Sequence, residues 1–407
     1  MPINYTATKG KQAFPDKSKY LFNIDTLWLN IDSHYYDKVM DLGLREKLLS
    51  GRESLADSGK NQIISVKLEG YENEIKFEIA GAQPPQYQYS IRNDSMAIYF
   101  SKNHRENGSS MKIQINQFVL WEKGVERAYD EAKEVLKSLG FLPHSPKLNR
   151  VDFACHSDQF TWNLADFQKF EYPRNIKDDN KPNFMKLDPS TGEFGTVYYG
   201  SRERLALRIY NKSKEIKDKR KEYFNEIYRE HDMDIDNIWN IEFECRRPFL
   251  KDLKNDDETF TDVYENFDLC LESDGLSRLW SLLMDKYSHN SAHWKLLAKG
   301  DKQRFKQIKQ YNLTVKKDID SNWFREFAQI RGRLMTAVLG EEDYTFENAL
   351  EIFKNTLYEK ERDEEIPYWH EDVAAKKSFI LSNEINRTIK KDLPKRKVNT
   401  QIPINLN

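Results

Sequence analysis

The chain has 407 residues, 39% hydrophobic and 13% aromatic, with 64 Lys and Arg against 66 Asp and Glu and a formal net charge of −2. That length suits two domains, and the aromatic content excludes wholesale disorder. The charge balance excludes nucleic-acid binding through bulk charge, so any such contact must rest on local patches. Mean hydropathy is −0.82, which implies a large polar surface or long charged helices. Cys155, Cys245 and Cys270 form no disulfide framework or zinc-ligand spacing, and a reducing cytoplasm is expected. No run approaches the ~20 apolar residues of a membrane span, and the first residues carry no signal-type apolar core. A soluble, cytoplasmic protein with no membrane partner is expected.

Residues 1–19 read as a loose polar arm. YLFNIDTLWLNID (Tyr20 to Asp32) reads as a buried strand, and Asp37 to Ser50 has helical spacing. Ile63 to Ala80 alternates in two runs around Gly70, as in a hairpin. Met96 to Ser101 is a short strand. In MKIQIN (Met111 to Asn116) Met111, Ile113 and Ile115 point one way and Lys112, Gln114 and Asn116 the other. Gly124 to Leu139 carries one apolar stripe and stops at Gly140, which predicts a helix. RVDFACH (Arg150 to His156) is a strand with Asp152, Ala154 and His156 on its polar face. Residues 171–195 are rich in Pro, Asn, Asp and Lys and read as a surface loop. After Lys212, a charged helix is expected over Ser213 to Glu230 and a strand over Ile238 to Arg246. Beyond about residue 250 the patterns are helical (260–273, 275–288, 291–299, 301–311, 321–339, 345–361 and 370–391), so a domain boundary is placed near 249–260. No internal repeat is evident, and the tail is basic.

The chemistry concentrates in TVYYGSRERLALRIYNK (Thr196 to Lys212), which reads as a hairpin. Leu205, Leu207 and Ile209 share one face, while Arg208, Tyr210 and Lys212 share the other. A free tyrosine with a pKa near ~10 is a poor nucleophile at neutral pH. Flanking cations favour its phenolate and stabilise charge on a phosphate under attack. The bland alternative is a half-exposed strand tyrosine with solvated neighbours. In WNIEFECRR, Glu242 and Glu244 lie together on the face opposite Ile241 and Phe243. With Asp152 and His156 they are ligand types for Mg²⁺ or Mn²⁺, or else one charged, solvated sheet face.

In order, these segments (MKIQIN, a helix ending in Gly140 and Phe141, RVDFACH, YYGSRERLALRIYNK and WNIEFECRR) resemble the transposition-like rolling-circle replication initiators of small Gram-positive plasmids. They are similar also to the related relaxases of integrative conjugative elements. The likeness covers roughly residues 20–250 and is sharp in these motifs. It implies an α+β fold, with an antiparallel-sheet, HUH-like tyrosine endonuclease domain over 20–250. A helical domain over 251–393 and a basic tail over 394–407 would follow. It further implies that Tyr210 attacks single-stranded or cruciform origin DNA, forms a 5′-phosphotyrosine and later rejoins the ends. Arg208 and Lys212 match the flanking cations. Asp152, one or both of Glu242 and Glu244, and His156 are the candidate ligands of Mg²⁺ or Mn²⁺. A host helicase and a homodimer are the implied partners.

Gln114 stands where the family often has an acid, His156 stands where an acid is usual, and Asn240 replaces a basic residue. No His-hydrophobe-His triplet occurs. A conjugative relaxase, a satellite-phage initiator and a non-cutting origin binder are the alternative readings. Arg202, Lys302, Arg304, Lys306 and Lys309 are candidate DNA contacts. The last four lie in the basic, aromatic stretch Trp294 to Lys317, which reads equally as a DNA track or a solvated helix face. Tyr198 and Tyr199 are rival nucleophiles. His289 and His293 lack the glutamate of a zinc-protease helix. No phosphate-cradling glycine loop indicates an ATPase.

Overall fold

The computed structural model describes residues 17–58, 62–70, 74–81, 86–106, 108–160, 162, 166, 184–187, 194–253, 264–289, 291–301, 304–306, 310, 311, 313 and isolated positions between 348 and 355. Residues 1–16 of the expected arm, most of the 171–195 loop, nearly all of the helices expected from 321 onward and the basic tail lie outside these.

One 11-stranded sheet organises the described chain, every pairing antiparallel. Its strands are β1 (Tyr20–Ser33), β2 (Ile63–Val66), β3 (Ile75–Ile79), β4 (Tyr89–Arg92), β5 (Met96–Phe100), β6 (Met111–Ile115), β7 (Pro143–Ser157), β8 (Phe184–Leu187), β9 (Phe194–Ser201), β10 (Leu205–Asn211) and β11 (Trp239–Arg246). The order across the sheet is β2-β3-β4-β5-β6-β1-β7-β11-β10-β9-β8. The helices are α1 (Tyr36–Val39), α2 (Arg45–Ser58), α3 (Gln117–Lys123), α4 (Val125–Ser138), α5 (Lys212–Lys219), α6 (Tyr223–Glu230), α7 (Arg247–Asp252), α8 (Phe267–Glu272), α9 (Gly275–Lys286) and α10 (Ala292–Ala298).

The two longest strands, β1 and β7, pair with each other at the centre over most of their length. Two-residue periodicity then sorts the side chains onto two faces. Val151, Phe153 and Cys155 of β7 and Ile241, Phe243 and Cys245 of β11 are fully buried on one face. That face is covered by α9, whose Trp280 ring lies 5.5 Å from Phe22 and 5.3 Å from Phe243. The apolar stripe of α4 (Ala128, Ala132, Val135, Leu136) joins the same core. The described helices beyond residue 250 thus share the core of the sheet.

Several local expectations are corrected. The helix expected over Ser213 to Glu230 is two helices, α5 and α6, parted at Arg220, whose φ of +52° lies in the left-handed region. Asn211 caps α5 by accepting the Lys214 N–H at 2.9 Å, so Lys212 opens a helix and does not continue the strand. The helix expected over Asp37 to Ser50 is interrupted at Leu42 and Gly43 (φ +107°) and then runs on to Ser58. Strands β4 and β8 and helix α3 have no counterpart in the sequence reading.

Candidate active site

Cross-strand register assembles the site. On the polar face Arg208 of β10 pairs with Glu242 of β11, which pairs with Ala154 of β7. Two residues along, Tyr210 pairs with Asn240 and Asn240 with His156. Two residues the other way, Glu244 pairs with Asp152. Residues far apart in the chain therefore lie in three adjacent rows.

Tyr210 is 4% exposed. Its hydroxyl donates to Glu242 Oε2 at 3.0 Å and accepts from Asn240 Nδ2 at 2.9 Å, with Lys212 Nζ at 3.4 Å. Arg208 donates to the same Glu242 oxygen at 2.9 Å, and its guanidinium lies 4.3 Å from the Tyr210 ring centroid. Lys212 is fully buried and pairs with Glu215 at 2.7 Å. The nucleophile and the two cations expected beside it are thus brought together. Their electrostatics differ from expectation. Burial pushes the Tyr210 hydroxyl well above its ordinary range, Glu242 adds to the rise, and Arg208 only opposes it. The resting tyrosine is protonated. Burial also lifts the Glu242 carboxyl to about 7, against the pull of Arg208.

Three participants escaped the sequence reading. Asp25 sits at a bulge of β1, between the Ile24 and Thr26 register positions, and accepts the Trp121 indole N–H at 2.6 Å. Burial opposes its charge, but the Lys212 ammonium, with hydrogen bonds from Gln117 and Trp121, holds its carboxyl below the usual range. Glu215 binds Lys212, Lys219 at 2.9 Å and Lys221 at 3.3 Å. Asn240, marked only as a departure from the family pattern, contacts the nucleophile directly. An acid three residues after Lys212 on a helix was a usable signal for Glu215. A bulge leaves no such mark, so Asp25 had none.

His156 is corrected as a partner of Asp152. They lie four positions apart on one strand, about 13 Å at ~3.3 Å per residue. His156 is fully buried, stacks on Trp121 at 4.3 Å and shares a 2.9 Å hydrogen bond with the Tyr228 hydroxyl. Burial lowers its pKa to about 3, so it is neutral. The other proposed ligands face arginines. Asp152 accepts from Arg150 at 2.8 and 2.6 Å. Glu244 faces Arg246 at 2.6 Å, Arg150 at 3.3 Å and Arg202 at 3.6 Å. Among the described residues no three His, Cys, Asp or Glu side chains converge on a metal position. Hard oxygen donors suit Mg²⁺ or Mn²⁺ in kind, but as placed here they are clamped by guanidinium groups and do not fit a divalent ion.

Of the candidate DNA contacts, Arg202 lies on the hairpin turn, 61% exposed, with its guanidinium 5.6 Å from the Tyr198 ring centroid. Arg304 and Lys306 are corrected. Phe305 is buried against Phe153 at 5.0 Å, and Arg304 lies 4.8 Å over Phe22, both on the apolar side of the sheet. Lys306 pairs with Asp274 at 3.0 Å. They are on the wrong face to track a strand toward Tyr210. Lys302 and Lys309 lie outside the described residues. Tyr199 is fully buried on the apolar face, which removes it as a nucleophile, whereas Tyr198 stands between Arg202 and Arg208.

No family model matches the chain, and no curated protein does. A solved structure of a rolling-circle replication initiator protein from Geobacillus stearothermophilus aligns with 70% of this chain and 91% of its own, at 14% identity and a TM-score of 0.30. A likeness at that level assigns neither fold nor function to this chain.

Proposed function

We propose that the protein nicks and rejoins single-stranded or cruciform origin DNA through Tyr210, as a rolling-circle initiator. The observation that carries this reading is one hydrogen-bonded group. The Tyr210 hydroxyl contacts a carboxylate at 3.0 Å, with the Lys212 ammonium at 3.4 Å and the Arg208 guanidinium over its ring. A strand tyrosine that is merely packed needs no such set.

In the reaction Tyr210 Oη bonds to phosphorus while the bond from phosphorus to the 3′ oxygen breaks, so the phosphodiester count is unchanged. Glu242 Oε2 already accepts the hydroxyl hydrogen and takes the proton as the new bond forms. Solvent returns a proton to the departing 3′ oxygen. Arg208 and Lys212 stabilise the charge that grows on the phosphoryl oxygens. Arg208 Nε is buried with no acceptor among the described residues, a donor left for such an oxygen. Because Tyr210 is closed off, DNA entry must displace part of this network.

The resemblance brings Mg²⁺ or Mn²⁺ as the expected cofactor, and a host helicase and a second copy of the chain as expected partners. Buried, unbridged Cys155, Cys245 and Cys270 suit the reducing cytoplasm in which such an initiator acts. The deciding measurement is a covalent-adduct assay with labelled single-stranded DNA flanking the gene, in Mn²⁺, in Mg²⁺ and in chelator. An adduct lost in Tyr210→Phe establishes the nucleophile, and the chelator arm decides metal dependence. An adduct that persists in Tyr210→Phe overturns the assignment. Tight binding without any adduct favours the origin binder that does not cut.

A further inference from the structure

The same polar face carries a second cluster, at the far end of β7 and β11 from Tyr210. Trp28 of β1, Arg150 of β7 and Arg246 of β11 lie in one cross-strand row. Three cations surround the Trp28 indole. Lys112 Nζ is 3.6 Å from the ring centroid, and the guanidinium carbons of Arg150 and Arg246 are at 4.9 and 5.8 Å. Lys112 also lies 5.5 Å from the Tyr99 ring. The two arginines, with Arg202, share the carboxylates of Asp152 and Glu244. Lys112 has no acidic partner among the described residues, though its side chain is almost wholly buried.

That arrangement is unsatisfied in two ways. Like charges are gathered around one ring, and burial with the neighbouring Arg150 and Arg246 lowers the Lys112 pKa to about 8. The Trp28 indole N–H is buried and has no acceptor among the described residues. An anion that is also a hydrogen-bond acceptor would relieve both. Two half-buried aromatics beside cations are the composition of a base-stacking and phosphate-binding surface.

We propose that Trp28, Lys112, Arg150 and Arg246 form a second subsite for single-stranded DNA, holding a phosphate and a stacked base of the strand that reaches Tyr210. The inference rests on the tyrosine-nicking reading for its choice of occupant. Asn240, opposite Tyr210, and Arg246 are six residues apart on β11, about 20 Å. Between them Arg208, Tyr198 and Arg202 continue the alternation of cation and ring. The two clusters would therefore grip one strand at points several nucleotides apart. A short strand would fill only one of the two ends at a time.

The test uses the full chain and fluorescently labelled oligothymidylates of about 12 and about 3 nucleotides, within and below the ordinary span of single-strand sites. Affinity is read by anisotropy across a salt series. Lys112→Gln should weaken the long strand roughly fivefold and reduce the slope of log affinity on log salt by about 0.7, the value for one lost phosphate contact. Lys112→Arg should restore the slope, and in wild type the short strand, which spans one cluster at a time, should show the smaller slope. Equal slopes for both lengths in wild type, or equal loss with a blunt duplex, overturns the subsite, as does wild-type protein that binds no single strand. Unchanged thermal melting separates a lost contact from a damaged fold, and Trp28→Phe, with the N–H removed, gives a second variant if Lys112→Gln melts early. Because binding is read without cleavage, a protein that binds the long strand through Lys112 but forms no Tyr210 adduct supports the subsite and sinks the nicking reading.

Discussion

Strands β7 and β11 carry two polar clusters, and the charges at their two ends are met differently. Around Tyr210 each cation has an acid: Arg208 has Glu242 and Lys212 has Glu215. Around Trp28 the cations outnumber the acids, and Lys112 is left over. The first cluster is closed and hydrogen-bonded apart from Arg208 Nε, and the second leaves the Trp28 indole N–H without an acceptor and Lys112 without an acid among the described residues. Buried charges are expensive unless paired. A closed, paired cluster suits groups that must be held in one geometry for chemistry. A cluster with surplus charge suits a ligand that supplies the missing anion.

The largest effect expected is at the nucleophile. Tyr210→Phe should lower adduct formation roughly 10³-fold or more while leaving single-strand affinity near wild type, measured on one preparation by denaturing gel and anisotropy. If affinity falls as far as adduct yield, the closed cluster is a binding element and the contrast between the two ends fails.

Next is the apolar face that underlies both clusters. Trp280 is fully buried, with its indole N–H donated to the Leu297 carbonyl at 3.0 Å. Trp280→Ala should cost about 3–5 kcal/mol in urea unfolding. It should leave the salt slope of DNA binding unchanged, since it touches neither polar cluster.

Glu215→Gln probes the pairing itself. It leaves the buried Lys212 ammonium without its closest acid and should cost about 3 kcal/mol at neutral pH. Burial raises the Glu215 carboxyl, but Lys212 and Lys221 outweigh it and hold it well below the ordinary glutamate value of 4.5. Its folded pKa is depressed, so its stabilisation is complete above about 4.5 and is lost as pH falls below that. Wild-type urea midpoints should therefore drop on acidification more than those of the variant. Equal slopes below pH 4.5 would show that the ion cluster does not stabilise the fold.

Smaller changes are expected at the open end. Arg246→Gln should reduce the salt slope for a long single strand by about 0.7. The smallest effect is in pH. Lys112 faces Trp28 from β1, Tyr99 from β5, Arg150 from β7 and Arg246 from β11, and its pKa lies at about 8. It is charged below that value, so affinity for the long strand should fall a few-fold between pH 7 and pH 9. Lys112→Arg should flatten the profile. A profile unchanged by that substitution would place the titrating group elsewhere.

Much of the sheet was legible in the residues. MKIQIN and RVDFACH alternate, and they form β6 and the second half of β7, with the inward side chains fully buried. The hairpin at Thr196 to Lys212 is β9 and β10, although its turn falls at Arg202 to Arg204 beyond Gly200. Arg208 and Tyr210 do share a face. Lys212 reaches the same hydroxyl by a different route, from the first turn of α5, because Asn211 caps a helix there. His156 and Arg304 were misjudged for one reason: residue type was legible and depth was not. His156 shares the face of Asp152 but lies under Trp121 and Phe224, and Arg304 shares the charge of Arg202 but lies behind the sheet.

The sequence alone determined which side chains alternate, where Gly140 ends a helix and which short segments carry charge beside a tyrosine, because these depend on local periodicity and backbone preference. Only the tertiary structure decided which strands are neighbours, that a bulge turns Asp25 toward Lys212, that Tyr210 is closed off and protonated, and that Lys112 joins Arg150 and Arg246 around one indole. Those outcomes depend on strand order, register and burial. They bring together residues more than a hundred positions apart, and no local pattern encodes them.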